Sequence, residues 1–303
     1  MTRDPSDYSW LPADLRAFIA MTEADYPPDA VTLSMARQRA VYDTSCARFD
    51  QPHPPGLRTE DRTIAGVPCR RYIPTAPRAD VTGVYFHGGG FVVGGLHSHD
   101  SIVADLAEAA QVTLIAVDYR LAPEHRHPAH YDDCVAVVDA LDGPLVLVGD
   151  SAGGSLAASI CATRPGRIRG QVLIYPGLTS DADMPSMIRH AHAPMLTAAD
   201  CLYYHEIRFD GPPPRGDVTA EALAATDYSD LPPTAIFTAE ADPLASHGVE
   251  YAARLAEAGV PVSLTEEPGL VHGYLRARTL AEGARASFER IARALDTLAR
   301  PAQ

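Results

Sequence analysis

The pentapeptide GDSAG at residues 149–153 follows directly after an uninterrupted apolar run, PLVLV at residues 144–148. A short apolar run of this kind is typical of a buried strand, and the alanine-rich residues 155–163 favour a helix after it. A serine flanked by glycines between a strand and a helix occupies a strained turn, around which only small residues fit. The pattern therefore predicts an α/β fold that presents Ser151 as a nucleophile.

A second glycine-rich segment, HGGG at residues 87–90, follows the strand-like run GVYF at residues 83–86. Consecutive glycines leave backbone N–H groups uncovered, so these groups can stabilise negative charge on an oxygen atom. A phosphate-binding loop is the alternative, but the G-x-G-x-x-G spacing and the P-loop lysine are both missing. The candidate oxyanion-hole residues are these glycines and the residue after the candidate nucleophile: Gly88, Gly89, Gly90 and Ala152.

A serine nucleophile requires a general base and a carboxylate that orients the base, in the chain order Ser, Asp or Glu, His. Asp242 lies just after the strand-like residues 235–238, where an α/β sheet presents its functional groups, and His272 lies further along the chain. We predict that Ser151 is the nucleophile, that His272 acts as general base and then general acid, and that Asp242 orients the imidazole. Glu240 is the competing carboxylate.

Five short segments occur in a fixed order along the chain: HGGG at 87–90, DYRLAPE at 118–124, GDSAGG at 149–154, DPL at 242–244 and HG at 272–273. This set resembles the bacterial hormone-sensitive-lipase-like family of α/β-hydrolase esterases, which includes acetyl esterases. The resemblance runs from about residue 65 to the C-terminus. It implies an α/β-hydrolase fold with a mostly parallel central sheet, helices on both faces and a helical cap.

The same resemblance implies a carboxylic-ester hydrolase that acts on short, acetyl-like acyl groups of small molecules. Neither a metal nor an organic cofactor is implied. In this family the oxyanion donors are backbone amides of the glycine loop, which correspond here to Gly89 and Gly90, together with the amide of Ala152.

The acid motif departs from the family pattern. Family members often continue it as Asp-Pro-Leu-Arg-Asp, whereas this chain has Ala245 and Ser246 in the last two positions. The missing residues do not belong to the triad, so we expect the chemistry to be kept and the packing or polarity beside this loop to differ. The resemblance also implies that Arg120 and Glu124 hold the loop after their strand by hydrogen bonds.

The chain is expected to form one domain, residues 1–303, with cap elements at about 1–55 and about 179–230. Partial helical stripes in the first segment break at the proline-rich residues 51–56. This segment is either a lid over the acyl pocket or a helical pair packed on the sheet edge. The second segment interrupts the alternation of strands and helices, and such insertions cover active sites. Its residues that either line the pocket or pack the cap on the core are Pro194, Met195, Leu196, Tyr203, Tyr204 and Ile207.

Composition restricts the partners and the compartment. The formal net charge of −14 argues against nucleic acid or an anionic membrane surface as a partner. Five scattered cysteines without C-x-x-C spacing are typical of reduced thiols, and the N-terminus lacks the basic segment and the apolar stretch of a signal peptide. We therefore expect a cytoplasmic protein without a membrane span that binds a small-molecule ester. A homodimer is left open.

Two histidine-rich segments, HSHD at 97–100 and HRHPAH at 125–130, contain residue types that bind metals. Neither has the H-E-x-x-H spacing, and serine hydrolysis needs no metal, so no metal site is predicted. Asp150, beside the nucleophile, is interpreted as a carboxylate that fixes its loop.

Two alternatives to an esterase stay open. The same triad could deacetylate an N-acetylated metabolite, because only the protonation of a leaving amine distinguishes the two reactions. A non-catalytic small-molecule receptor on the same fold is the more distant alternative. Loss of the serine or the histidine would be typical of such a receptor, and both Ser151 and His272 are present.

Overall fold

The computed structural model describes residues 7–27, 30–78 and 80–301. In this part of the chain the strands are β1 (Arg58–Ile64), β2 (Val67–Ile73), β3 (Thr82–Phe86), β4 (Thr113–Val117), β5 (Leu145–Asp150), β6 (Ile168–Ile174), β7 (Thr234–Ala241) and β8 (Val262–Val271). These eight described strands form a single sheet in the order β1-β2-β4-β3-β5-β6-β7-β8. Strand β2 is antiparallel to both of its neighbours, and the other pairs are parallel.

The described part of the chain also contains α-helices on both faces of the sheet and in the two predicted cap segments. They are α1 (Ala13–Glu23), α2 (Met35–Arg48), α3 (Asp100–Ala110), α4 (Ala129–Ala140), α5 (Ala152–Thr163), α6 (Pro185–Arg189), α7 (Ala198–Phe209), α8 (Ala245–Glu257) and α9 (Glu282–Ala299). Side chains of α1, α3 and α9 share one apolar cluster with the sheet, and those of α4, α5 and α8 share the other. Along β5, Val146 and Val148 belong to the first cluster and Leu145 and Leu147 to the second, because successive strand residues face opposite sides. This architecture confirms the predicted α/β-hydrolase fold.

The central strands account for the continuous apolar runs in the sequence. Every residue of β4 and β5 is buried, as parallel strands are when helices cover both faces. The edge strand β1, with the sequence RTEDRTI, is mostly exposed. The sequence pattern does not predict β1, because its side chains form no apolar face. Its extended conformation depends instead on antiparallel pairing with β2.

The other predicted elements are confirmed with shifts at their ends. The apolar pattern of the sequence also predicts strands at residues 67–73 and 262–264. The first coincides with β2, whereas β8 continues from the second to Val271. Pairing with β7 along this extension carries the chain to the segment that contains His272. Local apolar patterns therefore locate strands, and pairing with neighbours decides their length.

The length of the helices and the state of the cysteines are two further features of the fold. Each helix in the described part of the chain falls short of the length and apolar content that crossing a bilayer requires. The five cysteines are free and buried: Cys46, Cys69, Cys134, Cys161 and Cys201.

Candidate active site

Ser151 lies between the end of β5 and the start of α5, at the carboxyl edge of the sheet. Its backbone has φ of 53° and ψ of −118°, a conformation that costs a non-glycine residue energy. A Cβ atom on Gly153 would lie 1.8 Å from the carbonyl oxygen of Phe86, and one on Gly149 would lie 2.3 Å from the backbone of Gly153. Glycine is therefore required at both positions, as in a nucleophile elbow.

Three predicted side chains meet at this edge, because Ser151, Asp242 and His272 follow the parallel strands β5, β7 and β8. Oγ of Ser151 lies 2.9 Å from Nε2 of His272, whose Nδ1 lies 2.8 Å from Oδ2 of Asp242. Asp242 is completely buried, and its Oδ1 accepts the N–H of Leu244 at 2.8 Å. An ionised carboxylate only accepts hydrogen bonds, so Nδ1 of His272 donates and Nε2 is left to accept the serine hydroxyl. This arrangement suits removal of the serine proton.

Glu240, the competing carboxylate, occupies a different position. It is exposed, and its Oε2 accepts the backbone N–H of Gly269 at 2.8 Å. An irregularity in the pairing of β7 with β8 lies between Ala239 and Ala241. Glu240 therefore contacts the backbone of β8, while Asp242 contacts His272.

The backbone N–H groups of the glycine loop lie close to the elbow. Gly89 and Gly90 have φ of 122° and 60°, conformations that favour glycine. Within the described residues, the N–H groups of Gly89, Gly90 and Ala152 have no acceptor, and all three residues line the cavity described below. The N–H of Gly88 instead donates to Oδ1 of Asp150 at 2.9 Å. Gly88 is therefore removed from the predicted set of donors, because its amide is already engaged.

Asp150 is a buried carboxylate that joins three segments around the elbow. Besides Gly88, it accepts the hydroxyl of Tyr85 at 2.7 Å, and its Oδ2 lies 3.3 Å from Nε2 of His99. Burial opposes its ionisation, but interactions with His99, Tyr85 and Arg276 outweigh burial and hold the pKa of Asp150 below its usual value. These contacts agree with the interpretation of Asp150 as the carboxylate that fixes its loop.

A cavity of about 720 Å³ includes Ser151 in its wall. Both segments predicted as cap elements contribute to this wall, the first with Thr22 and Tyr42 and the second with α7. Five of the predicted lining residues contact the cavity: Pro194, Met195, Leu196, Tyr203 and Tyr204. Residues 1–6 and 28–29 of the first predicted cap segment lie outside the described residues.

Ile207 is the sixth predicted lining residue, and it packs elsewhere. Its side chain contacts an apolar cluster formed by Val92, Val93 and Ala122, beneath the glycine loop. Ile207 therefore fits the alternative interpretation, in which the residue packs the second predicted cap segment on the core.

The histidine-rich segments are used in separate contacts. His97 pairs with Asp43, Nε2 of His127 lies 3.3 Å from Oδ2 of Asp217, and His130 accepts a hydrogen bond from an arginine of α7. Among residues 7–27, 30–78 and 80–301, no three His, Cys, Asp or Glu side chains are grouped so that they could hold a metal ion.

The acid loop, which departs from the family motif at Ala245 and Ser246, is tied to α6. The Ser246 hydroxyl accepts the N–H of Ser186 at 2.9 Å, and the Ser186 hydroxyl accepts the N–H of Ser246 at 2.9 Å. The Ser186 hydroxyl also donates to the carbonyl of Pro243 at 2.6 Å. A neutral pair of serines therefore links the loop that carries Asp242 to the second predicted cap segment.

The loop after β4 is held by two arginine–carboxylate pairs. Arg120 donates to Asp133 of α4 through its backbone N–H and its guanidinium, at 2.8–3.0 Å. Glu124 accepts from Arg39 of α2 at 2.6 Å. Both residues hold the loop as the resemblance implies, and Glu124 does so through the first predicted cap segment.

The cavity wall also contains residues that the sequence pattern does not predict, among them Tyr42, Arg208 and Arg276. Arg276 donates to the carbonyl of Ser98 at 2.6 Å and to the hydroxyl of Tyr42 at 2.9 Å. Arg208 lies one helical turn after Tyr204, so it shares a helix face with a predicted lining residue. This signal is weak, since Ile207 has the same spacing from Tyr203 and packs elsewhere.

The strand order and the elbow define an α/β hydrolase. The chain belongs to this family: the model of the alpha/beta hydrolase fold matches residues 83–276. Esterase LipI of Mycobacterium tuberculosis is 40% identical over 74% of this chain and 77% of its own length. Ethyl acetate hydrolase of Pseudomonas putida is 33% identical over 89% of this chain and 94% of its own length.

A solved structure agrees with these relatives. The hyperthermophilic esterase of the archaeon Pyrobaculum calidifontis is similar with a TM-score of 0.86 at 29% identity, and the match covers 95% of this chain and 99% of that chain. Together these findings confirm the resemblance to hormone-sensitive-lipase-like esterases, and they support carboxylic ester hydrolysis as the activity.

Proposed function

We propose that the protein is a serine carboxylesterase that hydrolyses short-chain acyl esters of small molecules through an acyl-enzyme on Ser151. The observation that carries this proposal is the continuous chain of hydrogen bonds from Ser151 through His272 to the buried Asp242. Ester hydrolysis itself is supported by the family and its esterase members.

In the first half-reaction, Oγ of Ser151 attacks the ester carbonyl carbon while Nε2 of His272 takes the hydroxyl proton. The negative charge that forms on the carbonyl oxygen is stabilised by the N–H groups of Gly89, Gly90 and Ala152. The tetrahedral intermediate collapses, the bond to the alkoxy oxygen breaks, and His272 gives its proton to the leaving alcohol. Asp242 stabilises the imidazolium that exists between these two transfers.

In the second half-reaction, a water molecule attacks the acyl-enzyme and His272 again acts as the base. The acid leaves as the bond to Oγ breaks, and the proton returns to Ser151. The cycle needs no redox step and no group from outside the chain other than water.

We also propose that the acyl group is short and that two segments of the chain form a cap over the site. Tyr204 of α7 closely covers Gly90, since a Cβ atom there would lie 2.6 Å from the tyrosine ring, so the space beside the proposed donors is narrow. The relative named ethyl acetate hydrolase supports a short acyl group. We assign the two segments at about 1–55 and 179–230 as caps of a single domain. The cytoplasmic location and the homodimer stay predictions.

The test is hydrolysis of p-nitrophenyl esters from C2 to C12 by the wild type, Ser151→Ala and Ser159→Ala. Ser159 is a matched control, because it lies buried in α5 and its hydroxyl has no partner among the described residues. We expect turnover that peaks at C2–C6, that falls about 10⁶-fold in Ser151→Ala and that persists in Ser159→Ala. Substantial turnover by folded Ser151→Ala would overturn the proposal, and preferential cleavage of p-nitroacetanilide would favour the deacetylase.

A further inference from the structure

Arg208 is a buried cation at the wall of the cavity. Only 4% of the residue is exposed, and its guanidinium carbon lies 3.6 Å from the ring centre of Phe91 and 4.5 Å from that of Phe209. Phe91 directly follows the glycine loop, so Arg208 lies close to the proposed oxyanion donors. A charge in such an apolar setting is costly unless it is paired.

No carboxylate among the described residues pairs directly with this charge, and Glu221 and Asp217 act on it only at longer range. Nε of Arg208 donates to Nε2 of His130 at 3.1 Å. Burial and the adjacent Arg208 lower the pKa of His130 to about 2, so His130 is a neutral acceptor. Burial also lowers the pKa of Arg208 to about 9, which leaves the guanidinium charged at neutral pH. No described carboxylate lies within 4.0 Å of it.

The neighbouring titratable groups are engaged elsewhere. Glu221 also lines the cavity, but its Oε1 accepts both the N–H and the hydroxyl of Ser180. Asp217 is bonded to Thr219 and lies 3.3 Å from His127. The one side-chain hydrogen bond of Arg208 within the described part of the chain involves Nε, so its terminal nitrogens have no partner there, and the residue lines the cavity.

We propose that Arg208 binds a carboxylate of the substrate, so that the preferred esters are anionic. This inference rests on the proposed function and names its substrate class: a monoester of a small dicarboxylic acid, or an ester whose alcohol part carries the carboxylate. The planar guanidinium has two parallel N–H donors that match a carboxylate.

The position of Arg208 on α7 sets the length of this substrate. Tyr204 contacts Gly90, and Arg208 follows four residues later, which corresponds to about 6 Å along the helix axis. A spacer of two or three carbon atoms between the ester group and the carboxylate covers this distance.

Two matched pairs of esters test the proposal and distinguish the two positions of the charge. Monoethyl succinate is compared with ethyl 4-methylpentanoate, and 3-acetoxypropanoate is compared with 3-methylbutyl acetate. Within each pair the carboxylate is replaced by an isopropyl group of similar shape. We expect the wild type to prefer the anionic member of at least one pair in kcat/KM.

Arg208→Met removes the charge and keeps an apolar side chain between the two phenylalanine rings. We expect the anionic-to-neutral ratio of kcat/KM to fall at least about tenfold, mainly through KM, with partial recovery in Arg208→Lys. Arg126→Met is the control, because Arg126 is an exposed arginine near the end of α7 that pairs with Asp210. This control should keep the wild-type ratio.

A purely structural role for Arg208 predicts a different result, in which both members of a pair lose activity together and the ratio is unchanged. That outcome overturns the proposal, as does a wild type without preference in either pair. If Arg208→Met does not fold, the wild-type ratios and Arg208→Lys decide the question. Ser151-dependent hydrolysis of p-nitrophenyl acetate, measured in parallel, tests the proposed function separately.

Discussion

Oδ1 of Asp150 accepts a hydrogen bond of 2.9 Å from the backbone N–H of Gly88. The two residues directly precede Ser151 and Gly89, so this contact ties the elbow to the glycine loop. The approach is close, since a Cβ atom on Gly88 would lie 2.5 Å from Oδ2 of Asp150. The distance between the proposed nucleophile and the proposed oxyanion donors therefore depends on one buried carboxylate.

Asp150→Asn should lower kcat more than it changes KM. An amide oxygen accepts the Gly88 and Tyr85 hydrogen bonds less strongly than a carboxylate does, and we expect about 2 kcal/mol of lost unfolding free energy. Steady-state kinetics with p-nitrophenyl acetate and urea unfolding measure both effects. Asp133→Asn is the control, because Asp133 of α4 pairs with Arg120 in the loop after β4. This variant should lower stability without a selective loss of kcat. A wild-type kcat in Asp150→Asn contradicts the coupling of the two loops.

Asp242→Asn should reduce kcat by about 10⁴, because an amide in this position favours the wrong tautomer of His272. Glu240→Gln should leave turnover nearly unchanged, since Glu240 contacts the backbone of Gly269. The comparison requires kcat for both variants under one set of conditions. A large loss of kcat in Glu240→Gln, with little loss in Asp242→Asn, would contradict the assignment of Asp242 as the orienting carboxylate.

Gly90→Ala should reduce kcat about 100-fold, as loss of one oxyanion-hole donor does. The backbone φ of 60° is strained for alanine, and the new Cβ atom would lie 2.6 Å from the ring of Tyr204. The double variant Gly90→Ala/Tyr204→Ala removes the contact and should recover part of the activity. Gly143→Ala is the control, because φ is 78° there but no atom lies within 4 Å of the added Cβ. Equal loss of activity in Gly143→Ala would argue against a local effect.

Stability should fall as the pH is lowered from 6.5 to 4, in part through His247. This residue is buried in α8, and its Nδ1 accepts the N–H of Leu178 at 3.1 Å. Burial lowers the pKa of His247 to about 4, so in this interval the unfolded chain binds a proton that the folded protein does not. The free energy of unfolding then decreases with falling pH, by about 1.4 kcal/mol per pH unit for one histidine.

His247→Asn keeps an acceptor for Leu178 and removes the titrating group. The slope of unfolding free energy against pH, measured by urea unfolding between pH 7 and 4.5, should decrease by up to one proton equivalent. The exposed His125→Asn serves as the control and should keep the wild-type slope. An unchanged slope in His247→Asn would show that its burial is not the source of the acid sensitivity.

Several features of the fold and the site follow from the sequence because their causes are local. Continuous apolar runs predict buried parallel strands, and the close approach of Gly153 to Phe86 is anticipated by the glycine pattern around Ser151. The order of Ser151, Asp242 and His272 along the chain predicts their meeting, because parallel strands bring their carboxyl ends to one edge.

The edge strand β1 and the engaged amide of Gly88 do not follow from the sequence. The polar residues of β1 have no apolar pattern, and their order comes from pairing with β2. The three glycines at 88–90 are equivalent in sequence, and only the position of Asp150 distinguishes the first from the others.

The sequence by itself determined the fold class, because backbone sterics and apolar periodicity act between residues that are near in the chain. Its ordered motifs carried the resemblance to the family and the candidate triad. The tertiary structure decided which carboxylate contacts His272, which amides stay open to the cavity, and that Arg208 lines the cavity without a directly paired carboxylate among the described residues. These properties depend on contacts between residues that are distant in sequence, and such contacts exist only when the sheet and both proposed cap segments are assembled.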